Sequence, residues 1–477
     1  MTITMGEVLA ILTGYQPTGK EPRLGSFVID SRKVQKGSVF VAFQGEAQDG
    51  HQFIADAMSR GAAAALVEHV PAGLDYAVLD TRTGEGAKIA AAEVVALHSP
   101  LLILVEDSKL ALQKVGRAWR DQFKVKVIGI TGSVGKTSTK ELAHAVLAQR
   151  FHTYKSPGNL NSHTGLPLAL LGLEARHQRA VLEMGMDRPG EIALLCELAR
   201  PEIGVVTNVG PVHMEKLGTL GAIAAAKQEL VEALPAHGTA ILNRDEPLVM
   251  AMADHTEARV FTYGLTPSAD IWADNIQAMG LEGIRFILHY GKEMLSVHVP
   301  LLGRHSVHTA LRATAVGLVE GLAWEEIVRG LQSLSSQLRL VTVDGPQGSL
   351  VVDDTYNASP ESAIAALNLL ADLDGRRIAV MGDMLELGAA EKASHQIVGR
   401  RALAVADLLV VVGKLGRIIG ESALADGMAS DRILFADNAD DAAAILLPLI
   451  VPGDVILVKG SRGARLDRLV MQLDQQK

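Results

Sequence analysis

Lys124-Val-Lys-Val-Ile-Gly-Ile-Thr-Gly-Ser-Val-Gly-Lys-Thr-Ser-Thr-Lys-Glu141 decides how this chain is read. Val125 to Ile130 is a largely β-branched apolar run, which predicts a buried strand, and the spacing of Leu142, Ala145 and Val146 after Lys136 predicts a helix. The loop between them carries Gly132 and Gly135. Such a loop aims successive backbone N–H groups into one concavity at a helix N-terminus, where the dipole favours an anion. Lys136 then reaches the terminal phosphates of a nucleotide and the Thr137 hydroxyl holds Mg²⁺, so Gly132, Ser133, Val134, Gly135, Lys136, Thr137 and Ser138 form the expected nucleotide cradle. The alternative is a tight strand-to-helix turn. Strand and helix flank the loop as phosphate binding requires, which favours the nucleotide. The commonest phosphate-loop spacing puts a further glycine at the position of Ile130, and here the glycine is Gly129.

Outward from this stretch, 477 residues allow about three domains at roughly 150 residues each. With 48% apolar and 21% charged residues, each can bury an ordinary core. A net charge of −9 argues against a nucleic-acid-binding surface and attracts no anionic membrane. The single cysteine, Cys196, excludes an intrachain disulfide and sits in an apolar helical pattern with Leu194, Leu195 and Leu198, as a buried structural thiol would. The first residues lack a basic run ahead of an apolar one and carry Glu7, so they read as an amphipathic helix rather than a secretion signal. The apolar runs Ala402–Val412 and Ala442–Val451 are interrupted or too short to span a bilayer. The expectation is a cytoplasmic, monomeric protein without nucleic-acid or integral membrane contact.

The central region, 108–335, alternates strands with helices, which predicts an α/β fold with a mostly parallel sheet covered on both faces. Ligands of such sheets sit at the carboxyl ends of strands. That rule selects Glu183, after Ala180-Val-Leu, and Asn208 and His213, after Ile203-Gly-Val-Val. Glu183, Thr137 and His213 therefore become candidate Mg²⁺ ligands, with a capping or core role the alternative for His213. Lys227, in Ala224-Ala-Ala-Lys-Gln-Glu, reads by itself as a solvated lysine on a helix. Ser156-Pro-Gly-Asn-Leu-Asn161-Ser-His-Thr-Gly-Leu-Pro167 is a polar loop before a helix expected at Leu168. At the other end of the chain, Ser31 and Arg32 close a strand-like run, where an arginine fork grips an oxyanion or simply meets solvent. Residues 336–477 alternate again through Leu350–Asp354, Arg377–Gly382, Leu408–Val412 and Asp454–Lys459. No Gly-x-Gly-x-x-Gly follows these strands, so NAD is not expected.

The short Thr131-Gly-x-x-Gly-Lys-Thr137 loop, Asp30-Ser31-Arg32 with Asp49-Gly50-His51, Asp353-Asp-Thr-Tyr-Asn357-Ala-Ser-Pro360, and Gly382-Asp-Met-Leu-Glu386-Leu-Gly388 with Lys459-Gly-Ser-Arg462 together resemble the Mur ligases over nearly the whole chain. The resemblance implies a three-domain architecture: a UDP-sugar-binding domain over 1–107, a central ATP-binding P-loop domain over 108–335, and a dinucleotide-fold-like α/β domain for the amine substrate over 336–477. It implies an ATP-dependent ligase that passes through an acyl phosphate, with UDP-MurNAc-tripeptide as donor and D-alanyl-D-alanine as acceptor.

The same resemblance distributes roles. Lys136 steadies the transferring phosphate; Lys227 is carbamylated by CO₂ and, with His213, holds a second Mg²⁺; and Arg339 closes onto the nucleotide. Asp353 and Asn357 join the nucleotide site. Ser31, Arg32, Asn159, Asn161, Glu386 and Lys459 meet the substrates. Two departures stand out: Ser306 and Thr309 occupy the places of two asparagines near adenine, and Leu338 replaces a glycine before Arg339. The rival readings are a related amide ligase with another amine, such as a folylpolyglutamate synthase, a P-loop motor or switch, and a non-catalytic nucleotide-binding scaffold.

Overall fold

The computed structural model describes residues 3–45, 48–82, 100–212, 214–333, 341–355 and 357–474. His213 and Arg339 lie outside the described residues, as does most of the 72–100 stretch to which the sequence assigns no role. The chain divides into two compact units, one of Met1–Gly129, Phe151–Gly185 and Glu191–Pro201, the other of Ile130–Arg150, Met186–Gly190 and Glu202–Lys477.

The first unit opens on the expected helix, Met5–Thr13, which starts where Thr4 and Glu7 cap each other reciprocally: Glu7 N–H donates to Thr4 Oγ1 (3.2 Å) and Thr4 N–H to Glu7 Oε2 (2.7 Å). A five-stranded parallel sheet follows, in the spatial order Phe27–Val28, Val39–Val41, Ala64–Val67, Leu101–Leu104, Ala77–Asp80. Helix Ser108–Asp121 begins at Asp107, whose carboxylate accepts from the N–H groups of Lys109 (2.7 Å) and Leu110 (2.9 Å). Its buried face anchors later segments of the unit through three side chains. Gln113 Nε2 donates to His163 O (3.0 Å), Trp119 Nε1 to Leu173 O (3.1 Å) and Arg120 Nε to Ala199 O (2.8 Å). Strands Thr153–Lys155 and Arg179–Glu183 pair in parallel, and Cys196 is buried in helix Glu191–Ala199, as the apolar pattern predicts.

The second unit contains parallel strands Ile203–Val206, Thr239–Asn243, Arg259–Gly264 and Ile271–Ala278, extended by antiparallel strands Ile284–Tyr290 and Glu293–Val299. That antiparallel extension departs from the strict strand-helix alternation read along the sequence, because short turns rather than helices join its strands. A second, six-stranded sheet orders Val341–Asp344, Leu350–Asp354, Asp454–Lys459, Arg376–Gly382, Leu408–Val412 and Ile433–Ala436. The first pair is antiparallel and the rest are parallel. Apolar residues bury both faces of this sheet: Val352, Ala379 and Leu409 face one core, and Val351, Ile378 and Val410 the other. Among the described residues no helix is long and apolar enough to cross a membrane.

Candidate active site

The strand predicted at Val125–Ile130 runs over Lys126–Thr131, and the helix begins at Lys136 and extends to Leu147. The loop between them takes conformations that side chains resist. Gly132 has φ +142° and Gly135 φ +84°, and a Cβ on Gly132 would lie 1.8 Å from Thr207 Oγ1.

The end of strand Ile203–Val206 grips this loop. Val134 N–H donates to Asn208 Oδ1 (2.9 Å), while Asn208 Nδ2 (3.0 Å) and Thr207 Oγ1 (2.7 Å) both donate to Val134 O. Ser133 N–H donates to Asn208 O (3.0 Å), and Ser133 Oγ accepts from Gly210 N–H (2.8 Å). The N–H and the C=O of Val134 are thus both held, which fixes the backbone of the loop ahead of the helix that starts at Lys136. The sequence marks Asn208 only as a polar residue after a strand, and gives no sign that Thr207 and Asn208 clamp Val134. Lys136 Nζ folds onto the carbonyls of Gly132 (2.6 Å) and Ser133 (3.2 Å), and Thr137 is exposed at the first turn of the helix.

In the same unit Lys227 lies on helix Leu220–Glu232, which Thr219 caps by accepting from Ala222 N–H. Read alone its segment suggests a solvated lysine, yet it is 2% exposed. Burial first, and the charge of Lys136 second, hold its ammonium well below the usual lysine range.

Glu183, at the end of its strand in the first unit, is also buried, and its Oε1 accepts from Asn161 Nδ2 (2.8 Å). Asn161 O in turn accepts from Gly185 N–H (2.8 Å), so the polar loop is tied to the carboxylate that follows the strand. Asn159 is exposed on that loop, and the helix after it spans Gly165–Leu170, starting ahead of the expected Leu168. Ser31 is buried in a 3₁₀ turn, whereas Arg32 is exposed and forks back onto Asp30 (2.9 and 2.8 Å). Of the nearby group Asp49, His51 and His69, His51 has both ring nitrogens engaged: Nδ1 with Asp49 (2.6 Å), and Nε2 accepting from Glu68 N–H (2.9 Å). It braces the turn, with no lone pair left for a metal.

A cavity of about 190 Å³ in the second unit brings together the phosphate loop and two of the other segments singled out in the sequence. Ser133 and Lys136 line it with Asn357, Glu386, Ser461 and Arg462. The segment carrying Glu386 is built rigidly. Asp383 Oδ1 accepts from the N–H groups of Leu415 (2.9 Å) and Gly416 (2.8 Å), capping helix Gly413–Ala425. The fully buried His395 accepts from Met384 N–H through Nε2 (3.1 Å) and donates from Nδ1 to Glu391 O (2.7 Å). Leu385 N–H donates to Ser461 Oγ (3.0 Å). Directly after these fixed points Glu386 adopts φ +65°, a left-handed conformation that a side chain enters at a cost.

Lys459 is 2% exposed and donates to Asp354 Oδ2 (2.7 Å) and Asn357 O (2.9 Å), bracing the Asp353 segment from beneath. Asp353 accepts from Thr355 N–H (2.9 Å). Ser359, where the resembling pattern has asparagine, caps helix Pro360–Ala371 by accepting from Ser362 N–H (3.3 Å). Ser306 and Thr309, the other departures, are both turned inward: Ser306 Oγ donates to Leu302 O (2.7 Å) and Thr309 Oγ1 accepts from Arg312 (2.9 Å).

The family models that match are "Mur ligase family, catalytic domain" over residues 26–100, "Mur ligase middle domain" over 130–317 and "Mur ligase, glutamate ligase domain" over 338–462. A curated relative, UDP-N-acetylmuramoyl-tripeptide--D-alanyl-D-alanine ligase of Bacillus subtilis (strain 168), is 35% identical over 93% of this chain and 92% of its own. Among solved structures, MurF from Acinetobacter baumannii superposes with a TM-score of 0.83 at 28% identity, covering 99% of both chains. MurF ligase from Thermotoga maritima in complex with ADP superposes with a TM-score of 0.76 at 28% identity, covering 97% of both. With a phosphate loop of the expected build and a likeness that runs through nearly the whole chain, this protein belongs to the Mur ligase family.

Proposed function

We propose that this chain is an ATP-dependent ligase that joins D-alanyl-D-alanine to UDP-MurNAc-tripeptide, giving the UDP-MurNAc-pentapeptide used in peptidoglycan synthesis. One observation supports it above the rest: the phosphate loop, through Ser133 and Lys136, shares a cavity with Glu386 and Arg462 of the Gly382 and Lys459 segments that carry the resemblance. In this reading the donor carboxylate attacks the γ-phosphate of ATP, and the amine of the dipeptide then displaces phosphate from the acyl phosphate.

The protein's share of that chemistry is positioning and charge neutralisation. The N-terminus of helix Lys136–Leu147, presented by the clamped loop, and Lys136 steady the phosphates. Arg462 and Glu386 offer opposite charges to a zwitterionic amine substrate in the cavity. Lys459 acts from behind, holding Asp354 and Asn357 so that Asp353 and Asn357 keep their places beside the nucleotide. Ser31, Arg32, Asn159 and Asn161 are assigned to the UDP-sugar peptide.

The residues suit Mg²⁺. Thr137, at the first turn of its helix, and Glu183, whose carboxylate accepts from Asn161, are the oxygen ligands assigned to it. Lys227, whose surroundings favour the neutral amine, is the form that CO₂ carbamylates to an anionic oxygen ligand. His213 is assigned as a further ligand, and Arg339 to the nucleotide, on sequence alone. Bound Mg²⁺ would neutralise developing phosphate charge.

The test is phosphate release from ATP and Mg²⁺ in the presence of UDP-MurNAc-tripeptide, with and without D-alanyl-D-alanine. Release that needs both, with pentapeptide formed in equal amount, is the expected result. Release independent of both overturns the ligase reading in favour of a nucleotide-hydrolysing motor or switch.

A further inference from the structure

Helix Ser306–Val319 carries a buried arginine that none of the roles above uses. Arg312 is 4% exposed. Its Nη2 donates to Thr309 Oγ1 (2.9 Å), and its Nη1 lies 3.4 Å from both Thr207 O and Tyr263 Oη. The fully buried Tyr263 hydroxyl donates to the same Thr207 carbonyl (2.9 Å). Arg312 Nε has no hydrogen-bond partner among the described residues. Thr207 is the residue whose hydroxyl holds Val134 O, and Arg312 Nη2 stands 3.0 Å from the position a Cβ on Gly135 would take.

The Tyr263 ring lies 5.8 Å from Arg312 Cζ, and the Glu246 carboxylate is close enough to feel its charge. Yet among the described residues the guanidinium forms no ion pair and its Nε is unpaired, which makes it an expensive group to bury. Packing alone is better served by an apolar side chain. Its position against the phosphate loop, touching Thr207, which clamps the loop, and Gly135, which ends it, provides a use for the charge. We propose that Arg312 is a positioning residue for nucleotide. It fixes the Thr207 peptide that clamps the loop, and it supplies a permanent positive charge beside the loop that favours a bound polyphosphate. Thr309 is the part of this device on the helix: its hydroxyl faces the guanidinium and orients it, in the place where the family pattern carries an asparagine.

The proposal rests on the reading of this loop as the ATP site, and the experiment separates the two. ADP binding by calorimetry at low and high salt is measured for the wild type, Arg312→Met, Arg312→Lys and Thr309→Val, with thermal melting for each and KM for ATP against kcat. Expected for Arg312→Met is ADP binding weaker by about tenfold, the scale of one partly screened charge pair. A shallower salt dependence and a raised KM for ATP with kcat nearly kept accompany it. Arg312→Lys, retaining the charge without the fork, recovers part of the affinity. A folded Arg312→Met that binds ADP as tightly as wild type, with the same salt dependence, overturns the proposal. Where Arg312→Met does not fold, Thr309→Val decides. Weakened ADP binding at unchanged melting temperature supports the charge-positioning role, and unchanged binding overturns it. A wild type that binds no ADP removes the nucleotide site itself. One that binds ADP but makes no pentapeptide refutes the ligase reading and leaves Arg312 to be judged on its binding data.

Discussion

Thr207 Oγ1 fills the space that any side chain at Gly132 would need, lying 1.8 Å from where its Cβ would be placed. The same hydroxyl donates to Val134 O at 2.7 Å, so the clamp on the phosphate loop and the requirement for glycine are one contact seen from two sides. Gly132→Ala is therefore expected to displace Thr207 and open the loop. The predicted cost is on the order of 2 kcal/mol in stability, with loss of ATP-dependent turnover, from the clash and the φ of +142° together. Thr207→Ser keeps the hydroxyl and is expected to retain turnover, while Thr207→Val loses the clamp. Thermal melting and phosphate release check all three.

Lys227 carries a pH signature. Its folded-state pKa lies below that of the unfolded chain, chiefly through burial. The unfolded state therefore binds more protons between the two values, and stability rises with pH across that window up to about pH 10.5, the ordinary lysine value. Lys227→Met is expected to be more stable than wild type at neutral pH, to lose that advantage as pH rises toward the ordinary lysine value, and to lack ligase activity. Denaturant unfolding of both proteins at a series of pH values measures it. A constant difference across the series would refute the buried neutral lysine.

Glu386 adopts φ +65° directly after Met384 and Leu385, whose N–H groups are both fixed. Alanine keeps the backbone strain and removes the carboxylate; glycine removes both. Glu386→Gly is expected to be more stable than Glu386→Ala by about 1 kcal/mol, the scale of a left-handed residue's penalty. Both are expected to raise KM for the dipeptide far more than KM for ATP. Equal stability of the two variants in urea would show that the strain is not felt there.

Lys459 and Asp354 form a pair in which the lysine is almost wholly buried. Burial pushes the Asp354 carboxyl up, and Lys459 pulls it back. Lys459→Met strands Asp354 and the carbonyl of Asn357, and is expected to cost about 3 kcal/mol. Adding Asp354→Leu should restore a large part of that loss, because an apolar pair needs no partner. A double-mutant cycle in urea measures the coupling.

Much of the active site is legible along the chain because it is local. A β-branched run, glycines at Gly132 and Gly135 and a following helical pattern are enough to predict the phosphate loop, since its turn is set by local backbone conformation, though its clamp comes from Thr207 and Asn208. The parallel strands at Ile203 and Arg377 are legible for the same reason: apolar runs buried on both faces advertise themselves.

Other features resist such reading. Ser306 and Thr309 look like losses from the nucleotide site, yet the structure has both hydroxyls bonded internally, one to Leu302 O and one to Arg312. Lys459 stands within a motif that suggests substrate contact, and its ammonium is engaged with Asp354 and Asn357. Periodicity says which residues share a helix face, but not what packs on that face.

By itself, then, the sequence determined the α/β class, the phosphate loop and the family. Each is written in runs of neighbouring residues whose propensities and spacing act over a few turns. Only the tertiary structure decided that Lys227 is buried, that Arg312 stands against Thr207 and Gly135, that Thr207 and Asn208 clamp Val134, and that Glu386 is left-handed. Burial, charge state and strain arise from atoms far apart in the chain, and folding alone brings those atoms within reach of one another.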